Sequence, residues 1–449
     1  MKKRLNFSET IVVGSMLFGL FFGAGNLIFP AIMGQLAGSN VWPAAIGFLT
    51  TGVGIPLFGV AAIGMSKSDG LFDMATRFLG KGYGLFFTCV LYLTIGPFFA
   101  IPRCASTSFS VGIAPMVDQA TEKWLIWVFA LVFFAVVLFF SLRPGKILTW
   151  VGKILTPLFL ISLGILIITA LISPMGDFSA VTPQKDYASN AFFKGFIEGY
   201  NTMDALAGLA FGIVVIDSIR RLGVTEPTHI ASNTVRSGIF GCVIMAVIYI
   251  MLALVGAESG TVSADGGEAL HYIAAHYFKN AGGIILAVIV TLACLKTAVG
   301  LITSCGEMFC QMFPKGPSYK AWAIGFCVVS FLISTVGLNA IIAWSLPVLM
   351  FLYPLAITLI ILVLFGKLYE NDRAVYISVT AFTLIPAIID LVASLPYGLP
   401  KLPILSTIVK LGGFLPLSQV GLSWICPALL GLTVGVIIHI FKKAETKAE

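Results

Sequence analysis

Apolar runs long enough to cross a bilayer recur from end to end of this chain, separated by short polar or charged segments. A membrane helix needs roughly 20 consecutive apolar residues. On that measure the pattern predicts twelve spans, at about 9–36, 41–64, 84–112, 124–141, 149–172, 191–216, 237–257, 281–309, 321–338, 340–365, 374–395 and 412–440. Several exceed the crossing length, which predicts tilt or breaks. Two connecting segments carry a helical period of their own. Ser66 to Gly82 has an amphipathic core at Leu71-Phe72, Met74-Ala75 and Phe78-Leu79, which predicts a short interfacial helix on the inner side. Gly266 to Asn280 repeats apolar residues at helical spacing outside, as a surface helix or a lid-like hairpin helix.

Two spans are interrupted in the middle. The first reads GSMLFGLFFGAGNLIFP from Gly14 to Pro30, with Gly23-Ala24-Gly25-Asn26 at its centre. Glycine tolerates dihedrals that other residues resist, so a helix can unwind here. The freed backbone groups must then find partners inside the protein. An ion and a polar substrate can be those partners, at the dipole ends of paired half-helices. Close packing between helices explains small residues equally well. The sixth span carries Gly199-Tyr200-Asn201-Thr202-Met203-Asp204 midway, with Gly208 and Gly212 beyond. Polar side chains are expensive at that depth, and an ionisable one such as Asp204 marks function by default. The two interruptions lie five spans apart. Five is odd, so a second set of five spans would be inverted in the membrane, and paired breaks in corresponding positions point to a transporter site.

Composition agrees with a polytopic helical membrane protein. Of 449 residues, 58% are hydrophobic and 10% charged, against about 25% charged in soluble domains. No cleavable signal is expected, because the first apolar stretch after Lys2-Lys3-Arg4 is too long. The net charge of +7 reads as topology and attraction to lipid rather than nucleic-acid binding. With both termini in the cytoplasm, the inner segments hold 19 of the 27 basic residues and the outer segments five, the bias expected of that orientation. Arg103, Lys194 and Lys296 fall within spans. The eight cysteines lie mostly in apolar runs, where cysteine is a small hydrophobe. His271 and His276 are five apart, off the spacing of a zinc pair on one helix face.

The intramembrane cations change the picture most. Lys296 is flanked by apolar residues for more than a turn on each side, too deep to snorkel with ease. Its ammonium can stand permanently where a metal cation would bind, or it can take up and release a proton. Span three reads GPFFAIPR from Gly96 to Arg103, bent by Pro97 and Pro102. Arg103 fits a gate residue pairing with an acid, or a snorkelling anchor. Lys194 and Glu198 share a helical face and can neutralise each other.

The stretches FFGAGNLIFP (from Phe21), GPFFAIPR (from Gly96), GYNTMDALAGLAFG (from Gly199) and ACLKTAVGLITSC (from Ala293) resemble the branched-chain amino acid:cation symporters, bacterial carriers of leucine, isoleucine and valine. The likeness runs along essentially the whole chain. It implies a LeuT-type fold: an all-α polytopic protein of about 12 transmembrane helices, with a 5+5 inverted repeat, discontinuous helices one and six, and two C-terminal helices. The transporter core would be 1–365, with repeats at about 9–172 and 191–365, and 366–449 would hold the two added helices and a cytoplasmic tail. The resemblance places the substrate on Gly23, Ala24, Gly25 and Asn26 of helix one, and on Tyr200, Asn201, Thr202 and Asp204 of helix six. A sodium site of this fold would fall on Gly19, Phe22, Ala293, Lys296 and Thr297. There the chain departs from the pattern, since Lys296 stands where a ligating hydroxyl is expected. Sodium and proton coupling both remain open on this reading. No cofactor is implied, and the location implied is the bacterial cytoplasmic membrane.

Other classes fare worse. A carrier of another small amphipathic substrate, an aromatic amino acid or a nucleobase, is the alternative within transport. A channel predicts repeated filter segments and a continuous polar lining, and neither is visible. An enzyme wants paired carboxylates or a histidine cluster at membrane depth, whereas His229, His271, His276 and His439 lie near loops or the terminus. No phosphate-binding loop occurs, so uphill transport would draw on an ion gradient.

Overall fold

A computed structural model describes residues 3–448, the side chains of residue 280 and residues 446–448 excepted. Lys2, counted above among the inner basic residues, lies outside them, and Lys447 is described in its backbone alone. The protein is all-α and polytopic. Its helices are α1 (Phe7–Phe21), α2 (Ala24–Ala37), α3 (Val41–Leu49), α4 (Ile55–Met65), α5 (Leu71–Leu79), α6 (Lys81–Leu93), α7 (Ala100–Gly112), α8 (Gln119–Ser141), α9 (Thr156–Ile172) and α10 (Tyr187–Glu198). They continue with α11 (Asp204–Arg221), α12 (Pro227–Glu258), α13 (Gly266–Phe278), α14 (Gly282–Met312), α15 (Tyr319–Ser334), α16 (Leu338–Phe365), α17 (Arg373–Ala393), α18 (Pro403–Gly412) and α19 (Ile425–Ala448). Among the described residues, nine helical stretches are long and apolar enough to cross a membrane, or ten if the pair α10–α11, bent by 40°, counts as one.

The local chemistry of the chain sets these boundaries. Asn6 caps α1 by accepting from Glu9 N, and Glu9 returns a bond to Asn6 N, which satisfies two orphan donors at once. α5 is the short helix expected within 66–82, between α4 and α6, and α13 is the helix expected at 266–280. One expectation needs correction. The last span does not run unbroken through 412–440: α18 stops at Gly412 and α19 starts at Ile425. Between them Pro416 offers no amide, and Leu417 and Gly421 turn left-handed, so no helix continues there.

The helices sort into packed sets. α2 and α1 both lie along α12, α10 packs on α3, and α11 and α12 pack on α4. α14 packs on α7, α8 and α15, and α15 on α7 and α8. A third set joins α17 to α16, α18 and α19. Outward faces are apolar: Trp127, Leu131 and Val132 on α8 and Ile161, Ile165 and Ile168 on α9 are exposed, as a lipid-facing surface requires.

Where α3 crosses α10, the backbones nearly touch. A Cβ on Gly47 would lie 2.0 Å from Phe192 O, and one on Gly195 would lie 2.0 Å from Ala44 O. Small residues make such approach possible in lipid, where dispersion contacts replace the hydrophobic drive. Gly47→Ala is therefore expected to cost about 1–3 kcal/mol by overpacking. A lower melting temperature of the purified variant in detergent checks this, and an unchanged one would mean that the crossing is looser than described.

Candidate functional site

The first break lies between α1 and α2. Phe22 and Gly23 leave the helix with extended dihedrals (φ −73°, ψ 90° and φ −115°, ψ −151°). The carbonyls closing α1 then lack their helical donors. Lys296, at the middle of α14 and fully buried, supplies donors: its Nζ donates to Gly19 O at 3.1 Å and to Phe22 O. Thr297 Oγ1 donates to Gly19 O at 3.3 Å. The ammonium sits over the ring of Phe159 at 4.4 Å and near the rings of Phe18 and Phe22 at 5.5 Å. Carbonyl dipoles and ring faces together offset the cost of holding a cation away from water. Ala293 lies buried three residues before Lys296 on the same helix.

Asn26 restarts the helix. Its Oδ1 accepts from Gly23 N at 2.8 Å, which caps the new N-terminus. Its Nδ2 donates to Asp204 Oδ2 at 2.6 Å and also meets the Tyr249 hydroxyl. Tyr249 OH donates to the same Asp204 oxygen at 2.7 Å. Asp204 opens α11, where a negative charge suits the positive end of the helix.

The second break runs from Gly199 to Met203. Residues 199–202 tighten into a 3₁₀ turn, and Met203 sits left-handed at φ 65°, a conformation that costs an L-residue roughly 1–2 kcal/mol. Thr202 Oγ1 donates to Gly199 O at 2.8 Å and accepts from Asp204 N at 3.3 Å. The loose carbonyls of this break also meet a cation. Arg103 Nη1 donates to Asn201 O at 2.7 Å and Nη2 to Thr202 O at 3.4 Å. Arg103 rises from α7 just past a wide turn at Thr94–Phe98, in which Gly96 leaves helical dihedrals; the two-proline stretch does bend. Its guanidinium also faces the ring of Phe29 at 5.6 Å.

These residues surround a buried cavity. Gly23, Ala24, Gly25 and Asn26 line one side, Thr202, Met203 and Asp204 another, with Arg103 and Thr297 between. Ile95, Ala100, Cys104, Ala207, Phe211 and Leu301 give it an apolar wall. Its volume is about 20 Å³, room for about one water. The structure thus brings the glycine break, Asn26, Thr202 and Asp204 to one place. Tyr200 and the Asn201 side chain are not on the cavity wall. Tyr200 stacks on Tyr353 with centroids 4.0 Å apart, and the Asn201 amide donates to Glu198 Oε2 at 2.9 Å. Only the Asn201 carbonyl joins the cluster, through Arg103. Glu198 also pairs with Lys194 at 2.9 Å, as their spacing predicts.

Residues 6–442 match the family described as branched-chain amino acid transport protein. The chain belongs to this family. It is a multi-pass membrane transport protein. Among relatives, the branched-chain amino acid permease BrnQ of Lactobacillus delbrueckii subsp. lactis is 50% identical over 447 residues, covering 99% of each chain. The permease BraB of Bacillus subtilis (strain 168) is 40% identical over 446 residues, covering 98% of each. The branched-chain amino acid transport system 2 carrier protein of Pseudomonas aeruginosa is 37% identical, covering 96% of this chain and 95% of that one. Among solved structures, a nucleobase-cation-symport-1 family transporter, closed and with bromovinylhydantoin bound, superposes with a TM-score of 0.58. Identity is 14%, over 99% of this chain and 95% of that one, a likeness of fold alone.

The sequence alone does not single out Tyr249, Cys104, or the rings of Phe18 and Phe159 around Lys296. An aromatic residue inside an apolar span looks like packing. Only a partner such as Asp204, distant in sequence, gives Tyr249 a polar task.

Proposed function

We propose that this chain is a secondary symporter that imports leucine, isoleucine and valine across the bacterial cytoplasmic membrane, with protons as the coupling ion. The single observation that carries proton coupling is the bond of Lys296 Nζ to the carbonyls of Gly19 and Phe22. With Ala293 and Thr297 these are the positions that a sodium site of this fold would use. An ammonium there occupies the carbonyls with a charge that can leave as a proton. When it leaves, the attraction to two carbonyls and three ring faces falls, and α1 loosens from α14. Alternating access needs such a tie between elements that move apart.

The substrate sits in the buried cavity, on Gly23, Ala24, Gly25, Asn26, Thr202 and Asp204, with its aliphatic side chain on the apolar wall. Tyr200 and Asn201 shape the break rather than the wall. A cavity of about 20 Å³ must widen to admit leucine, so the half-helices spread on binding. Arg103, bonded across to the second break, gates that movement.

Twelve spans follow from joining α1 to α2 and α10 to α11 as broken spans, separating α3–α4 from α2, and counting the shorter α15. The packing supports a 5+5 repeat over about 9–172 and 191–365, with 366–449 outside it. Spans one and two pack with six and seven, while three and four pack with eight and nine. Lys296 of span eight holds the break of span one, and Arg103 of span three holds the break of span six. Exchange of the two repeats would map one contact onto the other. The charge bias supports both termini in the cytoplasm.

The test is leucine uptake into proteoliposomes under separately imposed sodium and proton gradients. An inward proton gradient alone is expected to drive uptake, and excess isoleucine or valine to compete. Uptake driven by sodium alone would overturn the proton assignment. Failure of leucine to compete with any transported substrate would overturn the substrate.

A further inference from the structure

We infer that Arg103 is the receptor for the substrate's carboxylate, and that Asp204 across the same cavity takes its ammonium. The inference rests on the proposed reading of this cavity as the amino-acid site and adds to it a charged recognition pair. A guanidinium carries five N–H donors in a rigid fork. In Arg103 two carbonyl bonds are made, both by the terminal nitrogens. Nε is buried and has no protein partner, and the residue is only 4% exposed. A buried guanidinium with an open donor edge at a cavity wall is matched best by a planar anion that accepts two parallel bonds.

The surroundings favour a zwitterion over a simple anion. Arg103 and Asp204 line the same cavity, one positive and one negative. Asp204 Oδ2 accepts from Asn26 and Tyr249, and a carboxylate, with about four lone-pair sites, has capacity for a further cationic donor beside them. Lys296, the other buried cation among the described residues, is not on the cavity wall, so its charge belongs to the break and not to the substrate. The absence of a side chain at Gly25 leaves room for the fork, since a Cβ there would lie 3.0 Å from Arg103 Nη2. Specificity then divides in two: the charged pair selects the α-amino acid head, and the wall of Ile95, Ala207 and Phe211 accepts the branched tail.

The experiment compares leucine with leucinamide, which keeps the ammonium and tail but lacks the carboxylate. Dissociation constants are measured by titration calorimetry on the full-length purified protein, near pH 6 so that both amines are charged. Arg103→Gln is expected to weaken leucine by at least about 30-fold, the usual consequence of truncating one partner of a buried charge pair. Leucinamide should change by less than about threefold, so that the preference for leucine collapses, and Arg103→Lys should restore part of it. Equal weakening of both ligands, or an unchanged preference, would reduce Arg103 to a strut and overturn the inference. If Arg103→Gln does not fold, Gly25→Ala decides: it should weaken leucine more than leucinamide, and equal weakening overturns the inference. Failure of the wild-type protein to bind leucine would instead sink the functional reading beneath it.

Discussion

Lys296→Met is expected to reduce proton-driven leucine uptake by at least about 100-fold while leaving the amount of protein in the membrane unchanged. Methionine keeps the unbranched apolar stem of lysine and is one heavy atom shorter, so most of the space between α1 and α14 stays filled. What disappears is the charge. Lys296 Nζ makes two bonds to the carbonyls at the end of α1, at Gly19 and Phe22. Bonds to charged groups contribute about 1.5–3 kcal/mol each, enough together to account for two decades of rate. Without the ammonium those carbonyls are left with Thr297 Oγ1 on Gly19 alone. On the proposed proton coupling, the break then has no proton to release and the gradient has nothing to act on. Lys296→Thr sharpens the test, because it returns a hydroxyl where sodium-coupled proteins of this fold carry one. Its residual uptake is expected to be indifferent to an imposed proton gradient. Uptake under separately clamped sodium and proton gradients in proteoliposomes checks both variants. Proton-driven uptake that survives in either would remove Lys296 from the coupling step.

The parts of this site legible in the sequence were those where a residue type is out of place. An aspartate at mid-span and a lysine among apolar residues are costly in hydrocarbon, and glycines beside an asparagine are where a helix can unwind. They mark Gly23–Asn26, Asp204 and Lys296 as candidates in the sequence, and the structure places the break at the first and buries the other two. What stayed hidden obeys local rules. Phe18 and Phe159 are ordinary apolar residues until a lysine from another helix arrives above them. Tyr249 is one aromatic residue among many in α12. Tyr200 shows the complementary limit: in the row Gly199–Asp204 it reads as one more polar group, and the 3₁₀ turn there stacks its ring on Tyr353. The end of the chain shows the same limit. Hydrophobicity alone carried the last span back to 412, whereas Pro416 and the left-handed turns at Leu417 and Gly421 end one helix and delay the next. Periodicity finds apolar segments, but backbone geometry decides where they break.

Asp204→Asn is expected to lower leucine uptake by at least about 100-fold, again with normal protein in the membrane. The change is isosteric, so packing at the head of α11 is kept. The hydrogen bonds are not. Asp204 Oδ2 accepts from both Asn26 Nδ2 and Tyr249 OH. An asparagine offers one oxygen and one NH₂ group. In one orientation it turns a donor toward two donors, and in the other it faces the cavity with an amide instead of a charge. The first leaves buried groups unpaired, at about 1–3 kcal/mol each. On the proposed reading of the site, the second leaves the substrate's ammonium without its counter-ion. Tyr249→Phe separates these effects, since it removes one donor and keeps the charge; its uptake should fall about tenfold, in line with one bond to a charged acceptor. The double variant should lose less than the sum of the two in free energy, because Tyr249 acts through the carboxylate. Asn26→Ala removes both the cap on Gly23 N and the other donor to Asp204, and should be as inactive as Asp204→Asn. The check is initial-rate uptake alongside gel filtration of the purified variants. Wild-type rates in Asp204→Asn would place the substrate elsewhere. Additive losses with Tyr249→Phe would mean that the hydroxyl contacts the substrate directly, and that α12 belongs to the binding wall as well as to its support.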